Sequence, residues 1–215
     1  MLKRANSDHR ETDAMRFIAA NTTIPVPRVH ATRTTEGVVY EIVMDYVPGE
    51  PLNKAWPKLT HDQRIAISAQ LRGYLAQLKQ LEGDRIQSVG GGSIMVGPFA
   101  SEREFNDFMV EKGNERVPEV FKRYARVVLR DDHKIDFAHA DFSPRNILVD
   151  GSGRVTAVFD WERAGWYPEY WDQARVLTEN PGVRDYWRYI EHIIPFQYVQ
   201  ELTALCYVYR ISGDG

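Results

Sequence analysis

His139-Ala140-Asp141-Phe142-Ser143-Pro144-Arg145-Asn146-Ile147-Leu148-Val149 decides the fold, together with Phe159-Asp160-Trp161-Glu162 beyond it. Asn146 follows Asp141 by five residues, and Asp160 follows Asn146 by fourteen. Two β-branched runs, 147–149 and 155–159, lie between them on either side of Asp150-Gly151-Ser152-Gly153. Short apolar runs flanking a glycine-containing turn predict a β-hairpin. One arm is therefore preceded by an Asp and an Asn, and the other ends on a second Asp.

Working outward, residues 136–139 predict a further short strand, and the tail from Pro168 onward is helical in pattern and dense in aromatics. Upstream, residues 117–130 have helical periodicity, and Ser101 with Glu104 carries a capping signal ahead of Phe105, Phe108 and Met109. Thr60 with Gln63 is a capping box. It opens a helix to about residue 81 with Ile67, Leu71, Tyr74, Leu75, Leu78 and Leu81 on its buried face. Pro48-Gly49 breaks the chain before that helix. Residues 9–20 predict a helix, with Ala14, Phe17 and Ile18 at helical spacing and Glu11 and Asp13 in the first turns. Two β-type runs, 28–34 and 37–46, follow, with Thr35-Glu36-Gly37 as the turn. The expected fold class is α+β. A small β-rich piece over 1–47 joins a larger, mainly helical piece over 48–215.

Bulk properties narrow the function. The chain has 215 residues and a formal net charge of −3, so it offers no broad basic face for nucleic acid. Its polar start has no signal-peptide pattern, and no apolar run reaches the roughly 18 to 20 residues that span a bilayer. The single Cys206 excludes an internal disulfide and fits a reducing compartment, so the expected location is the cytoplasm. Cys206, within Leu205-Cys206-Tyr207-Val208, is expected to be a buried small hydrophobe. Gly90-Gly91-Gly92-Ser93 lacks a strand before it and a helix start after it, so it reads as a loop and not a phosphate cradle.

The Asp–Asn–hairpin–Asp pattern suits phosphoryl transfer from ATP. That chemistry needs a base to orient the attacking hydroxyl and hard oxygen ligands for magnesium beside the phosphates. Asp141 suits the first task, and Asn146 and Asp160, on adjacent hairpin arms, suit the second. Taken singly, each reads better as a solvated turn or loop residue; the combined spacing is what carries the functional reading.

These motifs resemble the catalytic and metal-binding loops of the aminoglycoside phosphotransferase family, which shares the protein-kinase-like fold. The resemblance runs along nearly the whole chain and is nearest to fungal-type members. Residues 11–29 resemble the family's first-lobe helix and strand entry, and 42–49 its hinge. Residues 101–106 resemble part of its helical lobe, and Glu169-Tyr170-Trp171-Asp172 the helix start after the metal loop. The resemblance implies a two-lobe fold, ATP and magnesium as cofactors, and a small-molecule hydroxyl acceptor. It implies Asp141 as base and Asn146 and Asp160 as metal ligands. It also implies Glu11 paired with a phosphate-gripping lysine, for which Lys3 is the candidate. Backbone groups near Met44, Asp45 and Tyr46 would receive the adenine. Asp172 would hold the catalytic loop, and His139 would be structural.

The chain departs from that pattern in two ways. No glycine-rich strand-turn-strand precedes Lys3, so the first lobe is expected to be truncated to one helix and one hairpin with an open sheet edge. Ser143 stands where protein kinases carry a lysine, and the metal motif reads Asp160-Trp161-Glu162. These differences favour a small-molecule acceptor over a protein. Glu162, Trp166 and Glu169 are either pocket-lining or merely surface and packing residues. Three functional readings stand together: an active phosphotransferase, a pseudokinase or binding module, and a non-functional fragment.

Overall fold

The structure, a computed structural model, describes residues 1–7, 9–35, 38–94, 96–112, 117–178 and 182–211. The first part contains β1 (Leu2–Ser7), α1 (Arg10–Asn21), β2 (Val29–Thr35) and β3 (Val38–Met44). β3 is central in a three-stranded antiparallel sheet ordered β1-β3-β2. Leu2 pairs with Val43 and Lys3 with Ile42 on one side, and Thr32 pairs with Ile42 on the other. The expected hairpin is thus one strand short of the observed sheet. β1 is a polar segment, LKRANS, whose strand character comes from pairing and not from its own pattern. The turn expected at 35–37 falls largely outside the described residues.

α1 ends where Thr22 turns to extended backbone and its N–H and hydroxyl both bond Ile18 O. The prolines that follow carry the chain into β2. α1 buries Ala14, Met15 and Ile18. These side chains share one apolar cluster with Val39, Ile42 and Met44 of β3 and with Phe137, Ile147, Val158 and Trp161 from much later in the chain. The first 47 residues therefore do not have a core separate from the rest.

After β4 (Glu50–Pro51) and α2 (Leu52–Ala55), the long helix α3 spans His61–Leu78. The capping box is formed: Gln63 N donates to Thr60 Oγ1 and Thr60 N to Gln63 Oε1. Ile67, Leu71, Leu75 and Leu78 are buried as expected, while Tyr74 and Leu81 are half-buried at the edge of the core. β5 (Glu82–Gly83), β6 (Gln87–Ser88), β7 (Ile135–Ala138) and β10 (Gly165–Pro168) make a second sheet, ordered β5-β7-β10-β6. β10, with its glycine and proline, was not predicted as a strand; pairing on both sides makes it one.

α4 (Glu102–Lys112) and α5 (Glu119–Val128) precede β7. At the start of α4, Ser101 Oγ accepts Glu104 N, and Glu104 accepts Ala100 N. The predicted hairpin forms as β8 (Ile147–Val149) and β9 (Val155–Val158), with β4 added on the far side of β8. Asp150 Oδ1 closes its turn by accepting Ser152 N and Arg154 N, and Gly153 adopts the positive φ that the turn requires. α6 (Trp171–Thr178), α7 (Ile190–Ile193) and α8 (Val199–Ile211) complete the helical part. Cys206 on α8 is half-buried and not buried as expected, because Ala204 and Leu205 take the inward positions. Gly90-Gly91-Gly92 forms a loop closed by Ser88 N to Gly92 O.

Candidate active site

β7 runs directly into the loop of His139 and Asp141. Ala140 sits at φ 61°, a left-handed conformation that a non-glycine residue holds only when its surroundings over-determine it. Asp172, at the start of α6, does so. Its two carboxylate oxygens accept Ala140 N (2.8 Å) and His139 N (3.1 Å), the loop-holding role the resemblance implied. His139 is fully buried. Its Nε2 lies 2.9 Å from Phe159 O, and its Nδ1 lies 3.2 Å from Asp141 N. A carbonyl only accepts and an amide N–H only donates, so the proton is on Nε2 and Nδ1 is the acceptor. Burial pushes the imidazole's pKa down against the pull of Asp172, Asp141 and Asp160 around it, which keeps the ring neutral. The ring therefore links the loop to the end of the hairpin and is structural.

Asp141 is 5% exposed. Its carbonyl accepts Ser143 N (2.8 Å) and Asn146 Nδ2 (3.0 Å), closing a tight turn over Pro144. Phe159 N donates to Asn146 O at 2.8 Å, which stitches the far end of β9 to the near end of β8. Asp160 follows at φ 65° and ψ 56°. A short 3-10 turn, Trp161–Arg163, begins after it and is anchored by the buried Trp161 indole donating to Val158 O. The two left-handed residues, Ala140 and Asp160, thus flank the same imidazole.

Lys3 reaches this assembly from β1. Its Nζ lies 2.6 Å from Glu11 Oε1 and 2.7 Å from Asp160 Oδ1. Burial would lower the Lys3 pKa, but Glu11 and Asp160 outweigh it and hold the ammonium above its ordinary value. Burial pushes the Glu11 carboxyl up, against Lys3. Lys3, Glu11 and Asp160 come from a strand, a helix and a loop far apart in sequence, and they meet as one ion triad.

The remaining expected residues are placed as follows. Met44 is buried, and its N–H and C=O pair with the backbone of Met1; Asp45 N donates to Arg28 O. The Asp45 side chain meets His30 at 2.6 Å, and Tyr46 is largely exposed. Trp166 is a packed indole: it stacks edge-on with Phe17 and Phe137 and donates to Leu81 O. Glu169 accepts the Tyr198 hydroxyl, and Glu162 lies half-exposed 3.9 Å from Arg163. One residue escaped the sequence reading. Arg145 places Nη2 2.5 Å from Asp141 Oδ1 and Nη1 2.9 Å from Ser143 Oγ. Its position, four residues after Asp141 in the same loop, was the available signal.

Among the described residues, no group of three or more His, Cys, Asp or Glu side chains is arranged to hold a metal ion. Magnesium does not require one, since it takes one or two protein carboxylates and keeps water and phosphate oxygens for the rest. The donors here are the Asp160 carboxylate, with Oδ1 on Lys3, and the Asn146 amide, with Nδ2 on Asp141 O. Both are hard oxygen donors, on Asn146 and on the residue after Phe159, whose N–H bonds Asn146 O, and this donor set fits magnesium.

A family model described as "Phosphotransferase enzyme family" matches residues 2–195. A comparison with curated proteins finds no match. Among solved structures, the chain is similar to aminoglycoside phosphotransferase APH(4)-Ia in a ternary complex with ADP and hygromycin B. Identity is 16% and the TM-score 0.64, over 96% of this chain and 77% of that one. It is also similar to an aminoglycoside-3'-phosphotransferase of type VIII, at 21% identity and TM-score 0.60, over 98% and 84%. A third similar structure is the GDP complex of an aminoglycoside 2'-phosphotransferase, at 12% identity and TM-score 0.63, over 95% and 72%. At these identities the likeness shows a shared fold.

Proposed function

The chain belongs to the phosphotransferase enzyme family, and from that membership we propose that it moves the γ-phosphoryl group of ATP, with magnesium, to a hydroxyl of a small molecule. The observation that carries the reading is the Lys3–Glu11–Asp160 triad beside the Asp141–Asn146 loop. The ADP and GDP held by the similar structures support a purine-nucleotide donor. The hygromycin B held by one of them supports a small-molecule acceptor.

Each residue then has a task. Lys3, anchored by Glu11, grips the α- and β-phosphates. Asp160 and the Oδ1 of Asn146 would hold magnesium, which would supply positive charge to the phosphate oxygens. Because the Met44 backbone and Asp45 N are already paired, the base of the nucleotide is met by the Asp45 carbonyl and the backbone at Tyr46. Asp141 takes the proton of the acceptor hydroxyl as that oxygen bonds the γ-phosphorus. The bond from phosphorus to the β–γ bridging oxygen breaks, and its electron pair leaves with ADP. Positioning and charge do nearly all the work in such a transfer.

No described helix is long and apolar enough to cross a membrane. We place the activity in the cytoplasm, where ATP is abundant, with no nucleic-acid partner.

The test is ATP titration with and without magnesium, followed by melting temperature, because a ligand that binds only the folded form raises it. Asp160→Asn is expected to lose the magnesium-dependent part of the shift. Asp141→Asn is expected to keep the shift and lose ATP turnover. Turnover undiminished in Asp141→Asn overturns the assignment of the base. Binding without turnover in the parent favours the pseudokinase reading.

A further inference from the structure

The Asp141 carboxylate has to present one particular oxygen to an acceptor hydroxyl. Asp172 and the left-handed Ala140 set the backbone of the loop, but they leave the side-chain torsions of Asp141 open. Among the described residues, Arg145 makes the hydrogen bond to that carboxylate, and it uses Oδ1. The other arm of the guanidinium binds Ser143 Oγ. Ser143 in turn donates its backbone N–H to Asp141 O. The planar fork is therefore braced at both ends within the same turn, and a guanidinium so braced has a fixed direction.

We propose that Arg145 is a positioning residue for phosphoryl transfer, holding Asp141 Oδ1 so that Oδ2 takes the proton of the acceptor hydroxyl. This rests on the reading of Asp141 as the base. The step itself is unchanged: the proton goes to Oδ2, the hydroxyl oxygen bonds the γ-phosphorus, and the bridging oxygen leaves with the diphosphate. A role in holding the fold together is the weaker account. The Asp141 side chain is 7% exposed but the Arg145 side chain is 47% exposed, so solvent at the guanidinium screens the pair and limits what it adds to stability. Arg145 also brings a cation onto Ser143, the place where protein kinases carry a lysine. The absence of that lysine therefore does not leave the base without a nearby positive charge.

The experiment uses the full chain with MgATP, water serving as the acceptor, and compares the parent with Arg145→Met, Arg145→Lys and Asp141→Asn. Arg145→Met is expected to lower kcat by about 10- to 100-fold, the scale of a misplaced reacting group, with the KM for ATP unchanged. Arg145→Lys is expected to recover part of the rate. Both variants are expected to melt within about 2 °C of the parent, as for a half-exposed pair. A second readout does not need turnover: binding of MgADP with aluminium fluoride, which mimics the phosphoryl group in flight with its in-line water. Arg145→Met should weaken that complex about tenfold while leaving MgADP alone unaffected.

An unchanged rate or unchanged fluoride binding in Arg145→Met overturns the proposal. So does a parallel fall in rate, MgADP binding and melting temperature, which marks a structural role. If Asp141→Asn is as active as the parent, or the parent binds no nucleotide, the functional reading fails and this proposal with it. A defect in Asp141→Asn without one in Arg145→Met removes this proposal alone.

Discussion

Asp172 accepts the backbone N–H of Ala140, 32 residues earlier in the chain, at 2.8 Å, and with its other oxygen it accepts the next N–H back, that of His139. The carboxylate is buried, and two backbone donors converge on it. An asparagine there keeps one acceptor and turns an NH2 group towards the second donor. Asp172→Asn is therefore expected to cost about 2–3 kcal/mol, the penalty of an unpaired buried donor next to a lost charged hydrogen bond. Urea denaturation measures it. Stability equal to the parent would show that the loop does not need this acid.

Lys3 Nζ bridges Glu11 and Asp160, and the Glu11 side chain is only 3% exposed. Lys3→Met leaves two carboxylates facing each other without a cation. Loss of about 1–3 kcal/mol is expected, as when one partner of a partly buried pair is removed, together with loss of the magnesium-dependent ATP shift. Glu11→Gln is expected to be milder, because Lys3 keeps Asp160. A larger loss in Glu11→Gln than in Lys3→Met would contradict the bridging arrangement.

His133 lies between two buried acids. Its Nδ1 donates to Glu102 Oε1 at 2.7 Å, and its Nε2 is 3.5 Å from Glu201 Oε1. Burial lowers its pKa, but Glu102 and Glu201 outweigh burial and raise it above the ordinary value. A raised folded-state pKa means that the folded chain holds the proton more tightly. The contribution is complete below the unfolded value of about 6.5 and is lost as pH rises through the folded value. His133→Gln should therefore melt well below the parent at pH 6, with the gap narrowing towards pH 9. A gap that stays constant with pH would count against this pairing.

Gly165 on β10 pairs with Ala138 and Ser88, and a Cβ there would lie 2.5 Å from Gln87 O and 2.8 Å from Ile94 Cγ2. Backbone cannot yield as a flexible side chain does. Gly165→Ala is expected to destabilise by about 1–3 kcal/mol, the cost of forcing atoms into a packed site. Gly73, where a Cβ meets nothing within 4 Å, is the internal control. Gly73→Ala in the middle of α3 should be neutral or stabilising by roughly 0.5–1 kcal/mol. Equal effects at the two sites would contradict the packing.

Much of the candidate site could be proposed from the sequence because it is local. Asp141, Asn146 and Asp160 are separated by a turn and one hairpin, and hairpin register follows from strand pattern and turn residues. The structure adds how that short segment is held. His139 reads as structural in the sequence, but its proton position follows only from Phe159 O. Met44 is equally instructive: its place in a β-type run was visible, while the pairing of both its backbone groups with Met1 was not.

By itself the sequence determined the elements whose causes lie within a few residues: the capping box of α3, the apolar stripe of α1, the β8–β9 hairpin and the motif they carry. Tertiary structure alone decided the strand at Leu2–Ser7, the strand at Gly165–Pro168, the contact of Lys3 with Asp160 and the hold of Asp172 on Ala140. The physical reason is the same in each case. A polar or glycine-containing segment becomes a strand when a neighbouring edge supplies its backbone partners, and a charged side chain acquires its role from the opposite charges or backbone donors that folding brings within hydrogen-bond distance, neither of which leaves a periodic trace in the chain.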